Sequence, residues 1–416
     1  MRETKCKRGL TESEMIQSGV GFSTASTGRT AADQAVAQAM GHAGIDRADF
    51  AVMFATPHYA CEYTRMLNAV HTATGAPHIV GCSGMEVLTS IGEVEQSPGV
   101  AVLVGTSDGL HLSSFILPDA DAASHLASEL ASSPPHDHTG SPLLMLFSDV
   151  MHIHPTSLLN AFGAALPGVQ IVGAGASGSL EKMEAYQWAW RNGVETLNDC
   201  ISHRGVSGLM IRGDFSPLIA VARSCRPLGE SYVITSADGH LIREIANRPA
   251  MEILQESAAS LKEAEKQHVE RALVAGLVVD EEKYPLEIDD FVFRNIAGVE
   301  PSSGSLVISE RVRVGQTIQF HIRDKNAARQ DMERVLQDLS EKAAGKRIAM
   351  GFYFNCLARG AGFYGEFNHD TKVIRRYFPD VPIVGFLGNA EFAPVGGSSV
   401  LHNYTGVLVL VAEEVR

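Results

Sequence analysis

The chain repeats itself. Leu-Asn-Ala occurs at 67–69 and 159–161, and Ile-Val-Gly at 79–81 and 171–173, so both triplets recur at a spacing of 92 residues. Each copy has an apolar run ahead of it ("FAVMFAT", Phe50 to Thr56; "PLLMLFSD", Pro142 to Asp149) and one behind it ("GVAVLVG", Gly99 to Gly105; "GVSGLMIRG", Gly205 to Gly213). A weaker third copy lies near the C-terminus: "RIAMGFYFN", "FPDVPIVGFLG" and "GVLVLVAE", with its Ile-Val-Gly 212 residues after the second. Apolar runs without alternation predict strands covered on both faces. A strand, helix and strand in sequence predict a right-handed βαβ unit where the strands are parallel.

The expected fold class is therefore α/β, built from related strand-helix-strand units in two layered domains. At 416 residues the chain exceeds what one core usually covers. Two copies are assigned to a domain spanning 1–225 and the third to a separate domain spanning 226–416. "TAADQAVAQAMGHAG" (Thr30 to Gly44) predicts a small-residue helix capped by Thr30. The Pro/Ser-rich stretch 118–142 predicts an exposed excursion. "ADGH" (237–240) predicts a hairpin turn, and residues 304–324 predict a half-exposed strand pair. "NAARQDMERVLQDLSEKAAG" (Asn326 to Gly345) predicts an amphipathic helix stopped at Gly345.

Composition removes several function classes. The net charge is −14, with acids and bases interspersed and no basic block, which argues against nucleic acid and against an anionic membrane surface as partners. No apolar run reaches the roughly 18 residues that a membrane helix needs. The start has no apolar segment of a secretory signal. Six scattered cysteines, with no C-x-x-C, argue for a reducing cytoplasm and against a disulfide framework or a structural zinc site.

"RGAGFYG" carries glycines at 360, 362 and 365 in the G-x-G-x-x-G spacing of a dinucleotide turn. That turn needs the strand to end at the first glycine and the helix to begin inside the motif. Here the strand is expected to end near Asn355 and the next helix to begin near Asp370, and the two related copies have no such glycines. The other reading keeps the polar groups. Arg359, flanked by Cys356, Gly360 and Gly362, offers a fork of donors to a carboxylate or phosphate. Asn389 and Glu391 follow the neighbouring strand, and strand ends of one open sheet converge on a crevice. Arg359 and Glu391 then face one cleft as ligand groups, or form a pair that ties two loops.

"FNCLARGAGFYG", "VPIVGFLGNAEFAPVGG" and "LHNYTGVLVLV" resemble the C-terminal FIST domain, and "VGFSTASTGRTAADQAVAQAM", "FAVMFAT" and "PHIVGCSGMEVLT" resemble the N-terminal one. The likeness covers roughly residues 18 to 412. Ala358, Ala390 and Met85 stand where the family pattern has glycine. The resemblance implies a cytoplasmic sensory module that binds small ligands, amino acids or their derivatives among them, and passes its state to a signalling partner. Arg359 would hold the ligand's carboxylate, Glu391 would meet an amine or orient Arg359, and Asn389 and the amides near Gly360 and Gly362 would add contacts. Cys82, Ser83 and Glu86 would line the matching crevice of the first domain. Whether the two crevices meet is open, as is self-association. Some bacterial relatives are haem-binding nitric-oxide sensors, so haem is the alternative cofactor; otherwise none is expected.

A second alternative is an enzyme using Cys356 or Glu391. A catalytic cysteine needs a neighbouring His and a lowered pKa; His58, His154, His369 and His402 are the candidates, and a small buried hydrophobe is the plainer role for Cys82 and Cys356. Ser83 and Ser177 lack the G-x-S-x-G elbow and read as loop groups. The pairs His152/His154 and His136/His138 have metal-like spacing without a third ligand.

Overall fold

The computed structural model describes residue 11, 13–132, 140–179, 184–191, 197–266 and 272–414. Three successions of elements share one plan. The first is β1 (Gln17–Ser23), α1 (Gly28–Ala43), β2 (Phe50–Ala55), α2 (Tyr63–Thr74), β3 (His78–Ser83), the hairpin β4 (Glu86–Thr89) and β5 (Gly92–Val94), and β6 (Val100–Thr106). The second is β7 (His111–Leu117), α3 (Ala120–Ser132), β8 (Leu143–Ser148), α4 (Pro155–Ala165), β9 (Gln170–Gly175), the hairpin β10 (Gln187–Arg191) and β11 (Ile201–Ser202), and β12 (Val206–Arg212). The third opens with β13 (Ser216–Arg223) and is then interrupted by β14 (Cys225–Asp238), β15 (Leu241–Ile245), β16 (Arg248–Pro249), α5 (Ala250–Ala258), β17 (Leu273–Val278), β18 (Phe291–Glu300), β19 (Ser305–Ile308) and β20 (Thr317–Arg323). It resumes with α6 (Lys325–Ala343), β21 (Lys346–Cys356), the short α7 (Ala361–Tyr364), α8 (His369–Tyr377), β22 (Ile383–Gly388), the hairpin β23 (Glu391–Val395) and β24 (Ser398–His402), and β25 (Thr405–Glu414).

The sheets do not respect this succession. Their orders are β1-β6-β2-β3-β10-β11, β7-β12-β8-β9-β23-β24 and β13-β25-β21-β22-β4-β5. Each sheet takes its outer hairpin from another succession: the first gives its hairpin to the third sheet, the third to the second, and the second to the first. The exchange closes a ring. Inside it, Phe54, Phe147 and Phe354 meet with centroids 5.2 to 6.5 Å apart in edge-on contacts. The third copy is thus not a separate domain, as expected from sequence, but one wall of a shared core. The inserted strands form their own antiparallel sheet, and β14 pairs with both β20 and β15, so that sheet closes into a barrel around Leu228, Ile242, Leu277 and Phe320. The boundary at 225 falls where β14 leaves the ring, while β13, β4 and β5 lie before it and still build the third sheet.

The repeated Ile-Val-Gly has a packing cause. In each parallel pair the helix-linked strands approach so closely that a Cβ on the glycine would sit 1.8 Å from Met53 O (Gly81), 1.9 Å from Leu146 O (Gly173) or 1.8 Å from Tyr353 O (Gly385). Any side chain would wedge the pair apart, so Gly173→Ala is expected to destabilise by about 3 kcal/mol, the upper end of the range of about 1–3 kcal/mol usual for overpacking a core. Thermal unfolding checks it; an unchanged Tm would show that the strands can separate freely.

Several local expectations shift. α1 starts at Gly28 with Thr27, not Thr30, at its N-cap. The 118–142 stretch contains α3, which buries Ala123, Ala127 and Leu130; its His136 and His138 lie outside the described residues. Asp238 and Leu241 close the "ADGH" hairpin, with Gly239 at φ +60°. β19 and β20 do not pair with each other: β19 joins β18 and β15, and β20 joins β14 and β17. α6 begins at Lys325 because the Asp324 carboxylate accepts from the amides of Asn326 and Ala327, and Gly345 follows its end at φ +77°.

Candidate functional site

The strand ends expected to open on a crevice instead close on one another. Ser177 N donates to Ser83 O (3.0 Å), Ser83 Oγ to Ser177 O (2.8 Å), and Ser177 Oγ to Leu387 O (2.6 Å). Asn389 donates from its amide to Gly175 O (3.0 Å) and from Nδ2 to Ala176 O (3.0 Å). Three strands pointing at a common axis use their terminal polar groups on each other. Ser83 and Asn389 are therefore fastenings of the ring, and Cys82 beside them is fully buried with its thiol pushed well up by burial.

Arg359 follows β21 in a short turn and is wholly buried. Its partner is Asp370, not Glu391. Nε reaches Asp370 Oδ2 at 3.3 Å, and Nη2 reaches Oδ2 at 3.2 Å and Oδ1 at 3.3 Å. Nη1 donates to Ser224 Oγ (2.7 Å) and Ala222 O (3.4 Å). Nε and Nη2 face the Asp370 carboxylate and Nη1 faces Ser224 and Ala222, and the wholly buried guanidinium is thus engaged by the protein itself rather than open to a ligand carboxylate. Asp370 also accepts from Tyr353 OH (2.8 Å) and Asn355 Nδ2 (3.1 Å). The ion pair is thus satisfied on both sides, as burial requires.

Glu391 is also wholly buried. Its Oε2 accepts from Thr405 N (3.3 Å) and Oγ1 (2.8 Å), and its Oε1 has no partner. Burial pushes its carboxyl up to about 8. Burial, and then the charge of Glu391, push the neighbouring Cys356 thiol up to about 12. A thiol that keeps its proton at neutral pH is the opposite of an activated nucleophile.

The sequence candidates that do meet are Glu86 and Gly360. The exchanged hairpin carries Glu86 into the third sheet, where Val87 pairs with Val94, so the next step of the ladder sets Glu86 against Glu95. A Cβ on Gly360 would lie 3.1 Å from both Glu86 Oε2 and Glu95 Oε2, so a bare glycine lets the turn settle on the two carboxylates. Glu95 Oε2 accepts from Ala361 N at 2.9 Å, and Glu93 accepts from Thr371 N at 3.0 Å and from its hydroxyl. Burial, then Glu95 and Glu93, push the Glu86 carboxyl up to about 8; burial leads for Glu93, pushed up to about 7. Two carboxylate oxygens here, Glu86 Oε2 and Glu95 Oε1, are buried without a partner, and Tyr364 OH and His369 Nε2 on the same 359–370 segment share that condition. Gly362 is exposed, with open space around it.

Sequence reading missed Glu93, Glu95 and Asp370. "GEVE" places Glu93 and Glu95 two residues apart, hence on one face of a strand, a signal that was present. For Asp370 only the distance of 11 residues from Arg359 was available, and it carries no direction. Among the described residues, no group of three or more His, Cys, Asp or Glu is arranged to hold a metal ion. His152 is held by the Asp149 carboxylate. The cysteines at 61, 82, 200, 225 and 356 are free thiols.

The model of the FIST N domain matches residues 49–248, and that of the FIST C domain matches residues 250–394. The chain belongs to the FIST family. FIST domains are in general sensory domains of signal transduction. The two models meet inside the inserted barrel, at β16. An uncharacterized protein of Mycobacterium tuberculosis is 29% identical to this FIST chain over 398 residues, 95% of this chain and 99% of that one. F-box only protein 22 of Homo sapiens is 27% identical over 150 residues, 31% of this chain and 33% of its own length. Of solved structures, a cyanuric acid hydrolase from A. caulinodans matches 48% of this chain and 71% of its own at 12% identity and a TM-score of 0.26, a likeness too low to carry an argument. No helix among the described residues is long and apolar enough to cross a membrane.

Proposed function

We propose that this FIST protein senses a small amine-bearing molecule, an amino acid or a derivative, where hairpin β4–β5 meets the turn at Gly360. The carrying observation is the pair of facing carboxyls, Glu86 and Glu95, whose buried Oε2 and Oε1 take no donor from the rest of the chain and have only each other to bond with. Facing carboxylates repel and are costly to bury. An ammonium group brings three donors and the compensating charge. This reading moves recognition from the ligand's carboxylate to its amine, because Arg359 is wholly buried and paired with Asp370. The ligand would tie the FIST N hairpin to the FIST C turn, and a cytoplasmic signalling partner would respond to that tie. Two of the buried histidines are taken up in packing: His321 lies against Phe291 and Phe293, and His402 sits against the Ala393 carbonyl.

The test is a thermal-shift series with L-alanine, ethanolamine and acetate. Ligand at about 100 times its Kd stabilises by about 2.7 kcal/mol. L-alanine and ethanolamine are expected to raise the Tm, acetate is not, and Glu86→Gln is expected to abolish the response. Because ammonium binding favours ionised Glu86, affinity is expected to rise from pH 6 to 8. Equal stabilisation by acetate, or an unchanged response in the variant, would overturn the reading.

A further inference from the structure

The inserted barrel hangs on the ring by one neck. The chain leaves the third sheet at Ser224 and returns at Asp324, where Asp324 N donates to Ser224 O (2.8 Å) and Cys225 pairs with Arg323. Beyond the neck the barrel has cores of its own, one around Leu228, Leu277 and Phe320 and one around Val274 and Phe293. Among the described residues, Val400 and Tyr404 are the ring side chains that pack on those cores, and both are only partly buried. Polar contacts hold the barrel on two flanks. On one, Asp289 takes Arg223 Nη1 at 2.5 Å and Arg334 at 2.9 and 3.1 Å. On the other, Arg294 Nη1 donates to Leu401 O and Asn403 Nδ2 to Phe293 O, each at 3.1 Å.

A crevice opens on each flank. One, of about 340 Å³, separates Asp289 and Asp290 from α6 and β13; the other, of about 180 Å³, separates β17 and β18 from α4. The β23–β24 hairpin runs between them, with residues 394–396 on the larger and 399–401 on the smaller, and Val279 of the insertion lines both. Close-packed interiors hold few gaps larger than a water molecule. Paired gaps along a polar boundary between two separate cores leave room for one body to move on the other. The neck is the hinge of such a motion, the hairpin under Val279 its fulcrum, and the Asp289 ion pairs a latch on one side.

We propose that the barrel rocks on the ring, so that narrowing the larger crevice widens the smaller. Asp289, held by Arg223 and Arg334, keeps the larger crevice narrow. An occupant of either crevice would thus set the width of the other. This device does not depend on an amine at Glu86.

Pulsed electron–electron resonance on the full chain tests it, with Cys6→Ser and Cys61→Ser to leave the introduced thiols for spin labels. Labels at Glu282→Cys and Lys342→Cys span the larger crevice, and labels at Asn160→Cys and Arg313→Cys span the smaller; all four positions are exposed. Asp289→Ala is expected to lengthen the first distance and shorten the second, each by more than about 2 Å, the size that separates a rearrangement from side-chain adjustment. The shortening is the informative half. Asn160 and Arg313 stand on the flank away from the lost ion pair, and local loosening would not bring them together. Arg334→Ala, which keeps the buried Arg223 paired with Asp289, is expected to shift both distances in the same two directions by less. Unchanged distances, or any combination other than these opposed shifts, would overturn the proposal. Should Asp289→Ala fail to fold, Arg334→Ala decides.

Discussion

Asp370→Ala is expected to lower stability by about 3–5 kcal/mol, the range for removing one partner of a buried ion pair. The substitution leaves the Arg359 guanidinium fully buried with its Nε and Nη2 donors facing no carboxylate and its charge uncompensated, and it deprives Tyr353 and Asn355 of their acceptor. An exposed pair gives the contrast. Arg376 and Glu333 are 61% and 42% exposed, so Arg376→Ala is expected to cost less than about 1 kcal/mol. Replacing both members of the buried pair, Arg359→Met with Asp370→Leu, is expected to cost less than Asp370→Ala alone, because no charge is then stranded. Urea unfolding of the four proteins measures this. If Asp370→Ala costs no more than Arg376→Ala, the pair does not hold the turn as described.

The second large effect concerns pH. Glu86 and Glu391, each pushed up to about 8 from an ordinary 4.5, and Glu93, pushed up to about 7, keep their protons in the folded chain over a range where the unfolded chain releases them. The folded state then binds more protons, so stability falls as pH rises. The contribution is fully present below about 4.5 and is lost as pH passes through 7 to 8. Asp289 and Asp324, held low on balance by arginines and, for Asp324, by backbone amides against the opposing effect of burial, act in the opposite sense but only at acid pH. His321 and His402, whose rings burial keeps neutral down to about 4 and about 3, also oppose them below about 6.5, so the raised carboxyls dominate between pH 6.5 and 8. Glu86→Gln with Glu391→Gln is expected to flatten the pH dependence across this window. At pH 8 the double variant is expected to gain on the order of 2–4 kcal/mol over the wild type, well below the full value of about 1.4 kcal/mol for every tenfold change in each group's proton affinity. Denaturant midpoints at pH 5, 6.5 and 8 supply the comparison. Parallel profiles in wild type and variant would show that these carboxyls titrate normally.

The two effects differ in how far the sequence reaches them. Arg359 was legible as a group of consequence because it follows a buried strand within a family pattern. Its partner was not. Both Glu391 and Asp370 were carboxylates at plausible positions, and only the path of the chain around α7 brings Asp370 onto the guanidinium. Glu86 was legible as part of the N-terminal hallmark, but its neighbour across the joint was not, since Gly360 lies 274 residues further on in the chain.

The sequence by itself determined what depends on local neighbours and on repetition: strand-like runs buried on both faces, a recurring Ile-Val-Gly, the α6 boundaries, the FIST pattern. Those follow from side-chain periodicity and from glycines that only a close strand pair requires. Tertiary structure alone decided which sheet each hairpin joins. Val87 reads equally well as an edge strand of its own sheet or of another, because backbone hydrogen bonding carries no address; the choice is made by the ring closing over Phe54, Phe147 and Phe354. That closure turns Ser83 and Asn389 into fastenings, buries Cys82 beside them, and brings Glu86 and Glu95 onto Gly360.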